Sequence, residues 1–252
     1  MPNLPARRLG MIAMLAPLAL GLAACGKGDD GGGAVTGEPI AKIAPPAGKA
    51  WGETVAVTAD GGYLMGNPDA PIKLVEYGAL SCSHCAEFSE TGSAELRDSF
   101  VASGRVSWEL RYYMLNALDV PATLLATCGA TDAVLPLSEQ FWAWQPTMFE
   151  NLQKADPAQL QAASSLPAGQ QFAAMARLGG MDTFFASRGI AAEQGQACLA
   201  DTAKATALAA QRDKASKDMG ITGTPTFFVN GRKLEVNTWK LVKADLERAG
   251  AR

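Results

Sequence analysis

The chain has 252 residues, with 22 Lys and Arg against 25 Asp and Glu, a formal net charge of −3, and 48% hydrophobic residues. This balance argues against a nucleic-acid-binding surface and against electrostatic attachment to a membrane, while the apolar content suffices for a core. The length allows one large domain, or one domain carrying an insertion.

Residues 1–24 read as a signal peptide. Arg7 and Arg8 supply the positive start, and Leu9 to Leu22 is an apolar run too short to span a bilayer comfortably, with Pro17 in its middle. It ends in Leu22-Ala23-Ala24-Cys25, which resembles the lipobox of bacterial lipoproteins and implies a lipid on Cys25 as the first mature residue. Ordinary cleavage after a small residue is the alternative, and it would leave Cys25 as a lone exported thiol. Loss of residues 1–24 removes two basic residues, so any membrane contact comes through the lipid. Residues 25–54 read as a flexible tether: a run of glycine and aspartate, Gly28 to Gly33, then Pro39 and Pro45-Pro46, with few large apolar residues.

Ordered structure is expected from near Val55. Ile72 to Tyr77 is a short apolar run bounded by Pro71 and Gly78, which suits a buried central strand. A helix is expected to begin at Cys82, with Phe88, Leu96 and Phe100 on one face and Gly92 weakening it between them. Val106, Trp108, Leu110, Tyr112 and Met114 alternate with period two, predicting a strand. Strand, helix and strand at this spacing imply a right-handed crossover and parallel pairing. From about Pro121 to Ala210 the chain is rich in Ala, Leu and Gln, and Pro146, Pro157, Pro167 and Gly179-Gly180 punctuate it into helix-sized pieces. The aromatic residues Phe141, Trp142, Trp144 and Phe149 are expected in the core of this helical segment. Sheet character returns at Thr226 to Val229, followed by an Asn230-Gly231 turn, a return strand over Leu234 to Val236 and a closing helix from Trp239 to Arg248.

Chemistry concentrates at Cys82-Ser83-His84-Cys85, which contains the chain's one histidine. The order of elements places this motif at a helix N-terminus beyond the carboxyl end of a strand, where unpaired N–H groups and the macrodipole favour a thiolate on Cys82. Cys85, one turn inward, is the more buried thiol and the resolving one, while Ser83 and His84 tune how oxidising the pair is. Cys-x-x-Cys also begins many zinc sites, but a four-ligand site needs a second pair of ligands, which the widely separated Cys128 and Cys198 do not readily supply. The four cysteines beyond Cys25 allow three pairings, of which the adjacent one leaves Cys128 for Cys198. Thr224-Pro225 precedes a strand, where a cis bond at a tight turn would suit proline and expose Thr224's main chain to a peptide; an ordinary trans turn is the other reading. Glu76 is either a solvated strand-end carboxylate or a buried proton carrier for Cys85.

Glu76-Tyr77, Cys82 to Phe88, and Gly223-Thr224-Pro225-Thr226-Phe227-Phe228-Val229-Asn230-Gly231 closely resemble the DsbA-like branch of the thioredoxin superfamily, over about residues 55–248. The resemblance implies an α/β thioredoxin fold in two parts, 55–116 and 211–252, around a helical insertion at 117–210. It implies a thiol:disulfide oxidoreductase with Cys82 attacking, Cys85 resolving, Pro225 as cis-proline beside Thr224, Glu76 as buried proton carrier, and Cys128–Cys198 as a structural disulfide. No metal and no cofactor beyond the Cys82–Cys85 disulfide is implied. The expected partners are exported proteins with free thiols and a membrane redox protein that reoxidises the site. The expected setting is a monomer lipid-anchored on the periplasmic side of a bacterial envelope. A reductase or isomerase of the same fold, or a non-catalytic client-binding lipoprotein, is the alternative. Two positions depart from the best-known member: Ser83 stands where it has proline, and Thr224 where it has valine.

Overall fold

A computed structural model describes residues 37–252; the signal segment 1–24 and Cys25 lie outside the described residues. Six strands form one mixed sheet: β1 (Val55–Val57), β2 (Tyr63–Gly66), β3 (Ile72–Gly78), β4 (Val106–Tyr112), β5 (Thr226–Val229) and β6 (Arg232–Lys233). Their spatial order is β1-β2-β4-β3-β5-β6. The central pair β3 and β4 is parallel, with Leu74 opposite Trp108 and Glu76 opposite Leu110, and β5 adds to β3 antiparallel with Phe227 opposite Glu76. A sheet covered on both faces needs apolar residues on both, which is why β4 is buried at five successive positions from Val106.

Helix α1 (Ser83–Glu95) makes the crossover and opens into a wide turn over Leu96–Val101 before β4. Phe88, Leu96 and Phe100 are all buried, as their spacing predicted. Gly92 has a packing reason: a Cβ there would lie 2.7 Å from Trp239 Cγ of α9 (Trp239–Arg248). The helix thus gives up roughly 1 kcal/mol of propensity so that Trp239 can pack against its backbone.

The insertion comprises α2 (Asp119–Ala126), α3 (Val134–Lys154), α4 (Pro157–Ser164), α5 (Ala168–Gly179), α6 (Met181–Ala186) and α7 (Ala192–Leu199). Phe141 stacks on Phe185 at 5.4 Å and Trp144 on Phe184 at 4.6 Å, forming the helical core. Cys128 and Cys198 are bonded, with Cα atoms 5.9 Å apart, joining the end of α2 to α7 across 70 residues. In the loop-closure account such a bond restricts the unfolded chain by about 4 kcal/mol.

Five local expectations are corrected. Residues 37–54, part of the expected tether, are packed against the domain: Gly37 N–H donates to Arg248 O and Ile43 N–H to Ser103 O, each at 2.9 Å, and Trp51 is buried. One indole in a stretch of glycine and proline anchors the arm. Helix α8 (Thr202–Met219) runs unbroken across the expected 210/211 boundary, capped by Asp201 at its start. Helix α3 continues through the solvent-facing Pro146, because Phe141, Trp142, Gln145 and Met148 hold its inner face on both sides of the proline. The return strand is Arg232–Lys233 rather than Leu234 to Val236, and β4 ends at Tyr112 rather than Met114. A two-residue turn with positive φ at Asn230 and Gly231 pairs the residues immediately flanking it, so Val229 faces Arg232.

Candidate active site

Cys82 leaves β3 through a short turn and forms the N-cap of α1, in extended conformation. Its sulfur accepts the Cys85 N–H at 3.2 Å, and its thiol lies 3.3 Å from the Thr224 carbonyl oxygen. Cys82 is 5% exposed and Cys85 is fully buried; the two are unbonded. The Cys82 thiol is lowered from 9.0 to about 6, first by the hydrogen bond from the Cys85 thiol, with Thr224 and the backbone N–H groups of Cys85 and His84 helping and burial opposing. Burial pushes Cys85 well above the ordinary thiol value, and the charges of Cys82 and Glu76 push the same way. The thiol that ionises readily is therefore Cys82, and the one that holds its proton is Cys85.

Glu76 lies on central strand β3 and is fully buried, which removes the solvated alternative. Its Oε2 accepts the Trp108 Nε1–H at 3.1 Å, while Oε1 has no hydrogen-bond partner among the described residues. Burial raises its carboxyl from 4.5 to about 8, assisted by the charges of Cys82 and Glu139 and opposed by the Trp108 hydrogen bond. A carboxyl poised near neutrality beside a high-pKa thiol can take and return a proton at physiological pH.

The Thr224-Pro225 bond is cis, and the Thr224 carbonyl faces the Cys82 sulfur. Ser83 is exposed at the first helical position. His84 departs from expectation. Its imidazole is 70% exposed and turned along the helix to Glu87, with Nδ1 3.5 Å from Oε2, and it makes no hydrogen bond to Cys82. His84 acts on the thiolate through its backbone N–H instead. The reason is geometric: the second residue of a helix projects its side chain outward from the N-terminal turn whose amides face the cap.

Three residues hold the active-site loop: Asp119 and Gln145, which the sequence did not single out, and Trp142, which it placed only in the helical core. Trp142 Nε1–H donates to Ala79 O at 2.9 Å, and Gln145 Nε2–H donates to Leu80 O at 2.6 Å, so one face of α3 fixes the two residues before Ser81. Trp142 is thus a loop clamp as well as a core residue. Buried Asp119 accepts from Ser81 N–H at 2.7 Å, from Ser81 Oγ at 3.0 Å, and from the amides of Leu115 and Asn116 at 2.9 Å each. No local pattern marks these residues, because their partners lie 38 to 65 positions earlier in the chain for Asp119, Trp142 and Gln145. Asp119→Ala strands three backbone donors and is expected to cost about 3 kcal/mol. Urea unfolding of the wild type and variant, with Cys82–Cys85 in one redox state, measures this; an unchanged midpoint would rule out the clamp.

The comparisons agree with this geometry. The family model described as Thioredoxin matches residues 58–248. A Rickettsia bellii relative, whose name proposes a protein-disulfide oxidoreductase, is 24% identical over 186 residues, covering 74% of this chain and 63% of its own. A Rickettsia conorii relative of the same description is 25% identical, covering 68% of this chain and 54% of its own, so the chain spans under two thirds of these relatives. Among solved structures, a protein-disulfide isomerase from Novosphingobium aromaticivorans has TM-score 0.71 and 28% identity, covering 76% of this chain and 99% of its own. Wolbachia pipientis alpha-DsbA1 has TM-score 0.58 and 18% identity, covering 77% and 93%, and supports the fold. With a family model matching most of its length and a Cys82–Cys85 pair at the start of the crossover helix, the chain belongs to the thioredoxin family.

Proposed function

We propose that the protein is an extracytoplasmic thiol:disulfide oxidoreductase that donates the Cys82–Cys85 disulfide to exported proteins. The observation that carries this reading is the split between the two thiols, with Cys82 lowered to about 6 and Cys85 raised. In the donating direction, a client thiolate attacks Cys82 Sγ and the Cys82–Cys85 bond breaks. Cys85 leaves with the electron pair and receives a proton by way of Glu76. A second client thiolate then attacks the client sulfur of the mixed disulfide and releases Cys82 as thiolate. The client is oxidised by two electrons and the Cys82–Cys85 pair is reduced by two. The main chain of Thr224, beside Pro225, pairs with the client peptide. A membrane redox partner returns the pair to the disulfide, a lipid on Cys25 holds the protein at the periplasmic side of the envelope, and Cys128–Cys198 staples the insertion.

Thiolate stabilisation favours the reduced site and so makes the pair more oxidising. Lowering Cys82 from 9.0 to about 6 is worth about 1 kcal/mol at pH 7, on the order of a few tens of millivolts. Oxidants and reductants of this superfamily differ by roughly 150 mV, so the direction rests on more than this one thiol. Equilibration of the Cys82–Cys85 pair with glutathione is expected to give a potential between about −200 and −120 mV; a value near −270 mV would reject donation. The second reading, an isomerase, is supported by the 28% identical Novosphingobium neighbour that carries that name. Regain of activity by a scrambled disulfide protein, compared with oxidation of a reduced one, separates the two.

A further inference from the structure

Helices α1 and α3 leave a groove of about 610 Å³ between them, and it begins at Ser83, the residue after the attacking thiol. From Ser83 to Ala94 the α1 wall runs about 17 Å at 1.5 Å per residue, room for roughly five residues of extended peptide. Its floor is narrow and mild in character. Ser89 and Ser93 are buried and hydrogen-bonded to each other at 3.2 Å, a ridge of small residues that lets a peptide backbone come close.

Two features give the groove a chemical preference. Glu87 and Glu90 stand exposed on the α1 rim, and among the described residues the only basic group within 4 Å of either is the His84 imidazole beside Glu87. Among the described residues the lining cation, Arg97, is paired with Asp98 at 2.9 Å and with Glu139 at 3.2 Å, so its charge is already matched. Gln145 lines the same groove, is 3% exposed, and donates its amide to Leu80 O. No hydrogen bond to its Oε1 is made among the described residues, leaving an acceptor for a main-chain N–H of a guest. Peptide pairing at Thr224 lies on the Cys82 side of this loop; the groove extends from the Ser83 side.

We propose that the α1–α3 groove is a second client subsite, which takes an extended segment near the client cysteine and favours Lys and Arg in it. This rests on the oxidoreductase reading and names part of its substrate class. A basic segment there meets Glu87 and Glu90, and its main chain meets Gln145.

The test uses oxidised protein and three 15-residue peptides, each with one central cysteine flanked on both sides by three lysines, three glutamines or three glutamates. The rate of mixed-disulfide formation is measured at about 10 mM and at about 1 M salt, where the screening length falls from about 30 Å to about 3 Å. Flanking charge also changes the peptide's own thiol, so the readout is the lysine-to-glutamate rate ratio in the wild type divided by that in Glu87→Gln/Glu90→Gln. Clefts of one sign raise on-rates by about tenfold or more, and two rim carboxylates are expected to make this quotient about five at low salt and about one at high salt. Glu193→Gln, distant in sequence on α7, is expected to leave the wild-type ratio unchanged. A quotient of one at low salt, or one that persists at high salt, overturns the groove assignment while the peptides still react. No reaction with any peptide overturns the oxidoreductase reading itself.

Discussion

Cys85→Ser is expected to trap a client as a stable mixed disulfide on Cys82, while Cys82→Ser forms no adduct and loses at least roughly 1000-fold in exchange rate. The asymmetry follows from position. Cys82 caps the helix with its sulfur against backbone amides and the Thr224 carbonyl, whereas Cys85 is fully buried one turn inward. Non-reducing electrophoresis and intact mass after incubation with a peptide whose cysteine is disulfide-bonded to glutathione read both variants: the Cys82 thiolate attacks that disulfide and expels glutathione as its thiolate. An adduct on Cys85 would reverse the roles, and full activity of Cys82→Ser would favour the non-catalytic client-binding reading. Thiolate absorbance of the reduced protein is expected to titrate near pH 6, from the lowered Cys82 value. Because the folded value lies below the unfolded one, the thiolate's contribution to stability is complete above about pH 9. It shrinks as pH falls towards 6 and is absent below, a total of about 4 kcal/mol. That dependence should vanish in Cys82→Ser.

Glu76→Gln is expected to make the protein more stable and the chemistry slower. The carboxyl is raised from 4.5 to about 8, so above pH 4.5 the unfolded chain releases its proton before the folded one does. Stability from this group is therefore full below pH 4.5, falls as pH rises and reaches its lowest contribution above 8. At pH 7 the burden is about 3 kcal/mol, and the glutamine, which can still accept from Trp108, relieves much of it. Urea midpoints from pH 4 to 9 should show the variant gaining over the wild type only as pH rises. The cost appears when the mixed disulfide forms: without a titrating group near Cys85 to protonate it as it leaves, that step is expected to slow by about 100-fold, within the range for loss of a general acid–base. A variant that is more stable and equally fast would remove Glu76 from the proton path and leave it a structural residue.

Much of the scaffold was legible in the residues. The period-two run from Val106 marked β4, the apolar run from Ile72 marked β3, and a helix between them forced the parallel crossover, placing Cys82 at a helix start. Pro225 ahead of an Asn230-Gly231 hairpin marked the loop that closes over the sulfur. Strands β1 and β2 went unread, because three or four residues at a sheet edge carry too little periodicity to register. The packed arm before Val55 escaped for a related reason: its composition is that of a linker, and only burial of Trp51 gives it a place.

Local sequence determined which thiol is lowered and where it sits, since Cys-x-x-Cys at a strand-to-helix junction needs only spacing and helix geometry to lower one thiol. The state of every group around it was decided by tertiary packing. Glu76 is a near-neutral acid because its strand lies at the centre of a sheet covered on both faces, and no neighbour in sequence announces that burial. His84, which the motif made conspicuous, is turned to solvent by its place on the first helical turn. The loop that presents Cys82 is held by Asp119, Trp142 and Gln145 from the insertion, residues distant in the chain. Reactivity was written in the spacing of two cysteines; the proton inventory and the rigidity of the site required the fold.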